Sequence, residues 1–175
     1  MKKKGVAIIA LAVVFLFFLS SYTASLTFTF KTPVNSVANR TIETYSDAFF
    51  DYELIRYPSR AEIADPRKFS EEFSIGFNLD PWNLDFGLIP GNGSFSKRFI
   101  NLTNNGNDAK VVLATYGNIS DMISFSSNNF MLKKSAKSSV DVSFNTGRFL
   151  EGSFGGEIDV IIQKPKYVFI RWFLA

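Results

Sequence analysis

The segment Val140-Asp141-Val142-Ser143-Phe144 alternates apolar and polar side chains without interruption. Successive side chains of a β-strand point to opposite faces of the sheet, so this segment would carry one apolar face and one polar face. The apolar face needs a second layer of structure to cover it, while the polar face can remain in water. The segment therefore predicts a strand in a layered β-fold.

The same alternation recurs elsewhere in the later part of the chain, at residues 100–103 and 157–162. In the second of these stretches Glu157 and Asp159 fall on the face predicted to meet water. Clusters of turn-forming residues separate the strand candidates at short intervals: residues 90–93, 104–106, 127–129, 145–147 and 155–156. Short strands at this spacing predict a mainly β fold, an antiparallel β-sandwich of about seven strands over residues 71–175.

Residues 31–70 follow a different period. Apolar side chains recur there at steps of three and four, the spacing of one face of an amphipathic helix: Val37, Ala38, Ile42, Tyr45, Phe49 and Tyr52. Pro33 would interrupt any helix that enters from the N-terminal side, and Tyr57-Pro58 would end the new one. We therefore predict a short, partly helical stalk over residues 31–70.

The N-terminus combines three lysines, at positions 2–4, with a run over residues 6–19 that has no charged or polar side chain. The next charge is Lys31, so the uncharged residues 5–30 are long enough to cross a bilayer with some tilt. The lysines would hold the N-terminus on the cytoplasmic side. The sequence thus predicts a signal or transmembrane anchor helix over residues 1–30, with the rest of the chain extracytoplasmic.

Three interpretations of this segment remain open. Thr23-Ala24-Ser25 offers the small residues that a signal peptidase needs, which would make the segment a cleaved signal peptide. An uncleaved signal-anchor needs only the lysines and the apolar length. Third, Lys-Lys-Lys-Gly directly before the apolar run resembles the class III signal of type IV prepilins. That resemblance implies cleavage between Gly5 and Val6 and a retained helix that assembles a filament, although Ala10 stands where many members carry glutamate.

The sandwich region resembles a known domain family at several stretches. Residues 84–91 (LDFGLIPG) and 100–106 (INLTNNG) are similar to the opening of abnormal-spindle/Hydin-type immunoglobulin-like domains. Residues 140–144 and 152–160 are similar to later strands of that family. Residues 133–138 stand where members commonly have proline-glycine, which is a difference in a loop. The resemblance implies an immunoglobulin-like sandwich with a binding or spacer role.

Four N-x-Ser/Thr sequons lie beyond the N-terminal segment, at Asn39, Asn92, Asn101 and Asn118. On an exported chain these asparagines are candidate acceptors of N-linked glycans. Beside a class III-like signal they favour an archaeal source. The formal net charge of +3 is no more than the leading lysines supply, which argues against a nucleic-acid partner.

The composition excludes several enzyme classes. The chain has no histidine and no cysteine, so Ser-His-Asp and Cys-His machinery and thiolate zinc sites cannot be built. Asp80 and Asp85, with Asn78, are candidate ligands of a hard cation, but they lack the spacing of a calcium loop. Trp82 is either a platform for sugar stacking or a part of the core or a lid. We predict a protein that is not an enzyme and needs no cofactor or metal.

The C-terminal residues 167–175 alternate once more, after an interruption at Lys164-Pro165-Lys166. One side of this stretch is entirely apolar: Val168, Ile170, Trp172 and Leu174. Two interpretations are open. The stretch is either the last strand of the sandwich or an assembly strand that pairs with the sheet edge of another chain.

Together these features predict a membrane-anchored, extracytoplasmic protein of structural or adhesive type at the cell surface. Its partners would be the lipid bilayer, through the N-terminal helix, and itself or other surface subunits in a pilin-like filament. The alternative is a monomeric envelope protein whose sandwich binds a neighbouring protein, the cell wall or a glycan. A carboxylate-based hydrolase is the competitor from another class.

Overall fold

Extended strands make up most of the described chain. The computed structural model describes residues 11–16, 19, 38–68, 82–149, 151–167 and 170. Among these residues there are nine strands and two short 3-10 turns, Pro66–Lys68 and Ser120–Met122. The strands are β1 (Thr41–Ser46), β2 (Phe50–Ala64), β3 (Leu84–Pro90), β4 (Phe95–Thr103), β5 (Ala109–Gly117), β6 (Ile123–Phe125), β7 (Phe130–Leu132), β8 (Lys137–Asn145) and β9 (Gly152–Pro165). The prediction of a mainly β chain is confirmed.

The strands form two sheets. Sheet A has the order β1-β2-β9-β5-β7, and β3 joins it by pairing with β2. Sheet B has the order β4-β8-β6. All of these pairs are antiparallel except β2 with β3, which is parallel. The outer edge of β2 is shared, because β1 pairs with its first half and β3 with its second half.

A shared apolar core lies between the two sheets. Sheet B contributes Val140, Val142 and Phe144 of β8, whose side chains are fully buried. Sheet A contributes apolar side chains of β2, β5 and β9. Asp141 and Ser143 lie on the other, partly exposed face of β8, so the predicted alternation of this strand is confirmed. Two sheets with a common core form a β-sandwich.

Sheet A is also covered on its outer face, over β2 and β9. A second apolar cluster forms there: Phe49, Phe50, Tyr52, Leu54 and Ile170, with Met131 and Ile161 packed against it. Farther along β9, Glu157 and Asp159 are only 2% and 0% exposed. The prediction that these two carboxyl groups face water is wrong, because β9 runs through the middle of sheet A and is buried on both faces.

The predicted helical stalk over residues 31–70 is wrong for its described part, residues 38–68. β1 and β2 form an antiparallel hairpin there, and β2 pairs with β9 along almost its whole length, so this region belongs to the sandwich. The backbone N–H groups of Phe49 and Phe50 each donate to Asp47 Oδ1 at 2.7 Å, which builds the turn between the two strands. Apolar residues on either side of this turn produced a spacing that imitated a helix.

Pro58 does not end β2, although proline lacks the N–H that a strand uses on one side. In β2 the backbone N–H and C=O groups of even-numbered residues point towards the edge on which β1 and β3 lie. The hydrogen bond from Asp47 N to Phe50 O shows this direction. β1 pairs with β2 as far as Arg56, and β3 pairs with it from Ser59 onward. Pro58 therefore falls between the two partner strands, where no hydrogen bond needs its missing donor.

Gly155-Gly156, predicted to form a turn, lies inside β9. Gly156 is paired with Gly117 of β5. A Cβ atom at Gly156 would collide with the carbonyl oxygen of Tyr116 and with the side chain of Ile119. The glycine is therefore needed for the close approach of β5 to β9 rather than for a turn. The other four predicted turns do connect strands.

The predicted anchor helix of residues 1–30 lies largely outside the described residues. Residues 11–16 and residue 19 are helical, and their side chains are exposed. Across the part of the chain that the structure describes, no helix is long and apolar enough to cross a membrane.

The alternation of β8 allows a direct test of the fold. Val142→Asp places a charge in the core without a partner, and we expect it to lower the free energy of unfolding by about 4 kcal/mol or more. Ser143→Asp, on the other face of the same strand, should change this free energy by less than about 1 kcal/mol. Denaturant unfolding followed by circular dichroism measures both values. Equal losses would contradict the register of β8.

Candidate functional site

The outer face of sheet B presents aromatic side chains to solvent. Phe95 and Phe99 of β4 are 66% and 61% exposed, and Lys97 lies between them on the same face. Asn101 and Thr103 continue this face to the end of the strand. These five residues are referred to below as the β4 surface. Exposed aromatic side chains with polar neighbours are common in contact sites for other molecules.

One ion pair connects the β4 surface to the neighbouring strand. Lys97 Nζ lies 3.7 Å from Asp141 Oδ2 of β8. Both side chains are partly exposed, so the pair contributes little to stability. Its effect is to balance the lysine charge, so apolar contact would dominate any binding at this surface.

Two side chains on the opposite face of β4 hold the strand against β3. Ser96 Oγ donates to Phe86 O at 3.1 Å, and Arg98 Nε donates to Asp85 O at 2.6 Å. Burial lowers the pKa of Arg98, and the negative charge of Asp85 opposes that change. These bonds fix β4 relative to sheet A, so the β4 surface is presented by a rigid strand.

The Asp85 carboxylate, a candidate cation ligand in the sequence, binds protein groups. Arg60 Nε and Nη2 lie 2.7 and 2.6 Å from Asp85 Oδ2, and Gly87 N donates to Oδ1 at 2.9 Å. Asn78 and Asp80, the other two candidates, lie outside the described residues. Among the residues that are described, no group of three or more acidic, histidine or cysteine side chains is placed to hold a metal ion.

A cavity of about 340 Å³ lies between the sheets beside the turn that joins β4 to β5, and is referred to below as the end cavity. Its floor is formed by buried side chains, namely Ile55, Tyr57, Leu102 and Leu132. Its rim is polar and includes Arg40, Glu53, Asn101, Asn105 and Lys164. Lys164 Nζ and Glu53 Oε2 form an ion pair at 2.7 Å. An apolar floor with a few polar groups around it is typical of a small-molecule site.

Arg40 stands at the rim of the end cavity between two aromatic rings. Its guanidinium carbon lies 5.2 Å from the ring centroid of Tyr57 and 5.7 Å from that of Trp82. Cation–π attraction acts at these distances and positions the guanidinium. Trp82 is 59% exposed, so of the alternatives that the sequence left open, the core position is wrong.

A cluster of buried charges lies on the outer face of sheet A. Arg56 of β2 donates twice to Glu157 of β9, from Nε to Oε1 at 2.6 Å and from Nη2 to Oε2 at 2.9 Å. Arg56 Nη1 also donates to Glu43 Oε1 of β1 at 3.3 Å. Paired hydrogen bonds between ionised groups are strong and directional. The guanidinium therefore ties three neighbouring strands of sheet A together.

Asp159 brings a further carboxyl group into this cluster. It is fully buried and pairs with Arg56 across β2 and β9, and neither of its oxygens accepts a hydrogen bond from a described residue. Burial, reinforced by the neighbouring Glu157 carboxylate, raises the pKa of Asp159 to about 8, although Arg56 opposes this change. At neutral pH the proton stays on Asp159, which can then donate to Glu157. Chemically, the cluster can bind and release one proton.

The four predicted glycan acceptors are all exposed: Asn39, Asn92, Asn101 and Asn118. Asn101 belongs to the β4 surface, and Asn92 lies in the turn after β3 with a φ of 64°. Asn118 Oδ1 accepts a hydrogen bond from Gly155 N at 2.7 Å. Their positions are open to solvent, as a glycan acceptor requires.

Of the terminal site residues predicted from the sequence, the structure describes Ile170. The others lie outside the described residues: Gly5, Val6, Val168, Trp172 and Leu174. Ile170 is 1% exposed and packs in the second apolar cluster. Its N–H donates to Tyr167 O at 3.1 Å, and Ile170 is not part of a strand.

Sequence reasoning missed the buried charge cluster and the Arg40 stack. Arg56 lies in a segment predicted to be helical, and it meets Glu157 across a separation of 101 residues. One local signal was present, because the uninterrupted apolar run Val160-Ile161-Ile162 is typical of a strand buried on both faces. That run would have placed the neighbouring Asp159 inside the protein.

Comparison of the chain with protein-family models, with curated proteins and with solved structures finds no match. The resemblances of residues 84–106 and of the N-terminal segment therefore stay predictions.

The raised pKa of Asp159 predicts a pH-dependent stability. Its unfolded value is near 3.8, so the folded state binds this proton more tightly than the unfolded chain does. The stabilisation is complete below about pH 4 and is lost as the pH rises through about 8. Asp159→Asn stays neutral, and we expect it to unfold with about 2 kcal/mol or more greater stability than the parent near pH 9.

Asp121→Asn is the matched control, because Asp121 is exposed and undergoes the same change of charge. Thermal or urea unfolding between about pH 5 and 9 compares the three proteins. If the free energy of unfolding depends on pH in the same way for the parent and for Asp159→Asn, Asp159 is not buried in its protonated form.

Proposed function

We propose that this chain is a membrane-anchored, extracytoplasmic protein of structural or adhesive type, and that it acts as a pilin-like subunit or minor component of a cell-surface filament. Support for anchoring comes from the sequence, where three lysines precede the apolar run 6–19 and the longer uncharged segment 5–30. Support for a position outside the cell comes from the four sequons, whose asparagines are exposed. Glycosylation of Asn39, Asn92 and Asn118 is part of the proposal, whereas Asn101 belongs to the β4 surface and remains a predicted acceptor.

The observation that carries the structural or adhesive role is the β4 surface. Phe95 and Phe99 stand on the face of sheet B that points away from the core, so they add nothing to the packing between the sheets. β4 pairs with β8 over its whole length and presents both rings on a rigid support. Two exposed aromatic rings on a rigid strand are suited to contact with another macromolecule.

We further propose that the sandwich is of the immunoglobulin-like class that residues 84–106 resemble. In support, these residues form β3 in sheet A and β4 in sheet B, joined by a turn in which Gly93 has a φ of 88°. Asn104, of the Asn-Asn-Gly sequence, organises the next turn. Its Nδ2 donates to the carbonyl oxygens of Asn107, Leu132 and Lys133 at 2.7, 3.0 and 3.1 Å. The similar residues therefore have structural roles, as expected in a spacer or binding module.

A second candidate function is recognition of a glycan by a monomeric envelope protein, and the end cavity favours it. The volume of about 340 Å³ lies within the range of small-molecule sites. The guanidinium, carboxylate and amide groups of its rim can exchange hydrogen bonds with sugar hydroxyls. In a glycan-array assay of the full chain, Arg40→Ala should abolish binding, whereas Phe149→Ala, an exposed site elsewhere, should leave it unchanged. Equal binding by both variants would reject the cavity as the site.

The membrane topology can be tested in intact cells. We expect protease added from outside to digest residues 31–175 and to leave the lysine-bearing N-terminus protected, because the lysine bias orients the segment. Complete protection of the chain in unpermeabilised cells would contradict a cell-surface position.

The first residue of the mature protein separates the filament from the simple anchor. A start at Val6 supports prepilin-type processing, and an intact Met1 supports an uncleaved anchor. A start after residues 23–25 would reject both forms of membrane retention. Mass spectrometry of the purified protein measures the N-terminus and also any glycan on the four sequons.

A further inference from the structure

β4 lies at one edge of sheet B, and it is the longest edge strand in the described part of the chain. Its hydrogen-bond direction can be read at both ends. Thr146 N donates to Ser94 O at 3.0 Å, and Asn104 N donates to Ala136 O at 3.0 Å, both in register with the pairing of β4 and β8. The even-numbered residues therefore bond to β8, and the odd-numbered residues direct their N–H and C=O groups away from the sheet.

The odd-numbered residues are those of the β4 surface. Among the described residues, the one hydrogen-bond partner of their outward backbone groups is Arg98 Nη1, which donates to Lys97 O at 2.9 Å. A carbonyl oxygen has a second lone pair, so Lys97 O can still accept from another strand. The edge is thus prepared for one more antiparallel strand.

Other strand edges of the molecule are covered by side chains. The side chain of Asn128 bonds the backbone groups of β5 that a further strand would bond. Leu113 N donates to Asn128 Oδ1 at 2.7 Å, and Asn128 Nδ2 donates to Leu113 O at 2.9 Å. Ser126 does the same beside β8, since Ser126 N donates to Asp141 O at 3.0 Å and Ser126 Oγ accepts from Asp141 N at 2.9 Å. Natural β-proteins cover long edges in this way, and β4 has no comparable cover within the described residues.

We propose that β4 pairs with β4 of a second copy of this chain, antiparallel, about a two-fold axis through Phe99. This inference deepens the proposed structural role, on which it rests, by naming the partner of the β4 surface. Phe99 then faces Phe99 of the second copy, Lys97 faces Asn101, and Phe95 faces Thr103. The two B sheets become one continuous sheet, and the exposed rings gain apolar neighbours.

The register follows from the strand itself. Only pairing of odd-numbered with odd-numbered residues joins the outward backbone groups of both copies. Phe99 is the middle residue of Phe95–Thr103, so an axis there engages the whole strand. It also places Lys97 opposite a neutral side chain. An axis through Lys97 would leave part of β4 unpaired and would set two lysines face to face, which is unfavourable.

The chain contains no cysteine, so single cysteines introduced into the full-length protein report the register directly. Lys97→Cys and Asn101→Cys are prepared separately in mild detergent, mixed and oxidised. Facing residues of such a pair have Cα atoms about 5.5 Å apart, which suits a disulfide. In a pair of Lys97→Cys chains the two thiols would be offset by about 14 Å along the strands and cannot join. We expect disulfide-linked dimers in the mixture and none in either variant alone.

Ser143→Cys, on the same face but one strand inward in β8, is the control and should stay monomeric in every mixture. A further variant carries Lys97→Pro together with Asn101→Cys and is mixed with Lys97→Cys. The proline removes an outward N–H and the exposed ion pair with Asp141, but no hydrogen bond between β4 and β8. It should reduce cross-linking at least tenfold while the circular dichroism spectrum is preserved. Disulfide-linked dimers of the Lys97→Cys variant alone would overturn the axis at Phe99. Absence of any disulfide in the mixture would overturn self-pairing of β4 in the register proposed here, with Lys97 opposite Asn101. Either result leaves the membrane topology to its own test, so the two proposals fail separately.

Discussion

The antiparallel pairing of β2 with β9 is the interaction on which the rest of the sandwich depends. It runs from Phe50 opposite Pro165 to Ile63 opposite Gly152 and joins the two longest described strands. β9 carries β5 on its other side, while β2 carries β1 and then β3 on its outer edge. Sheet A cannot be assembled without this pair, because every one of its strands pairs with β2 or β9 or, for β7, with β5.

The buried charges fix the register of this central pair. Arg56 and Glu157 bind each other by two hydrogen bonds on the outer face of sheet A, with Asp159 beside them. A shift of β9 by one residue would move Glu157 and Asp159 into the apolar space between the sheets. There the carboxyl groups would lose Arg56, and burial of an unpaired charge is costly. If apolar residues replaced the ion pair, the shifted register would no longer bury charges between the sheets and would cost less free energy. The ion pair therefore makes the observed register of β2 and β9 specific.

The sequence predicted those strands that have one wet face. In β4 and β8 the apolar and polar residues alternate, and the buried positions Ile100, Leu102 and Val142 follow that alternation. In β2 the four consecutive residues 54–57 are all buried or nearly so, so the period of two is lost. β9 is likewise buried on both faces around Asp159. Both strands lie in the centre of sheet A, and this tertiary position overrides the period of two. A local sequence pattern contains no information about that position.

The β4 surface could be predicted from the sequence, but only by extending the alternating pattern beyond the residues where it is clear. The alternation at residues 100–103 places the odd-numbered residues Asn101 and Thr103 outward. Extending it towards the start of the strand places Phe95 and Phe99 outward as well. The end cavity could not be found in this way, because Arg40, Tyr57 and Trp82 meet only through the packing of separate segments.

The two sheets differ in what their outer faces can offer to a partner. The outer face of sheet A is buried over β2 and β9 by the second apolar cluster, which includes Ile170 from beyond the last strand. The outer face of sheet B has no such cluster among the described residues, and its exposed side chains include Phe95 and Phe99. Contact through sheet B would use a face that is already rigid and solvated, without displacing packed side chains. Contact through the outer face of sheet A would first have to open that cluster and expose the charges of Arg56 and Glu157. For the association proposed above, the asymmetry of the sandwich therefore favours sheet B.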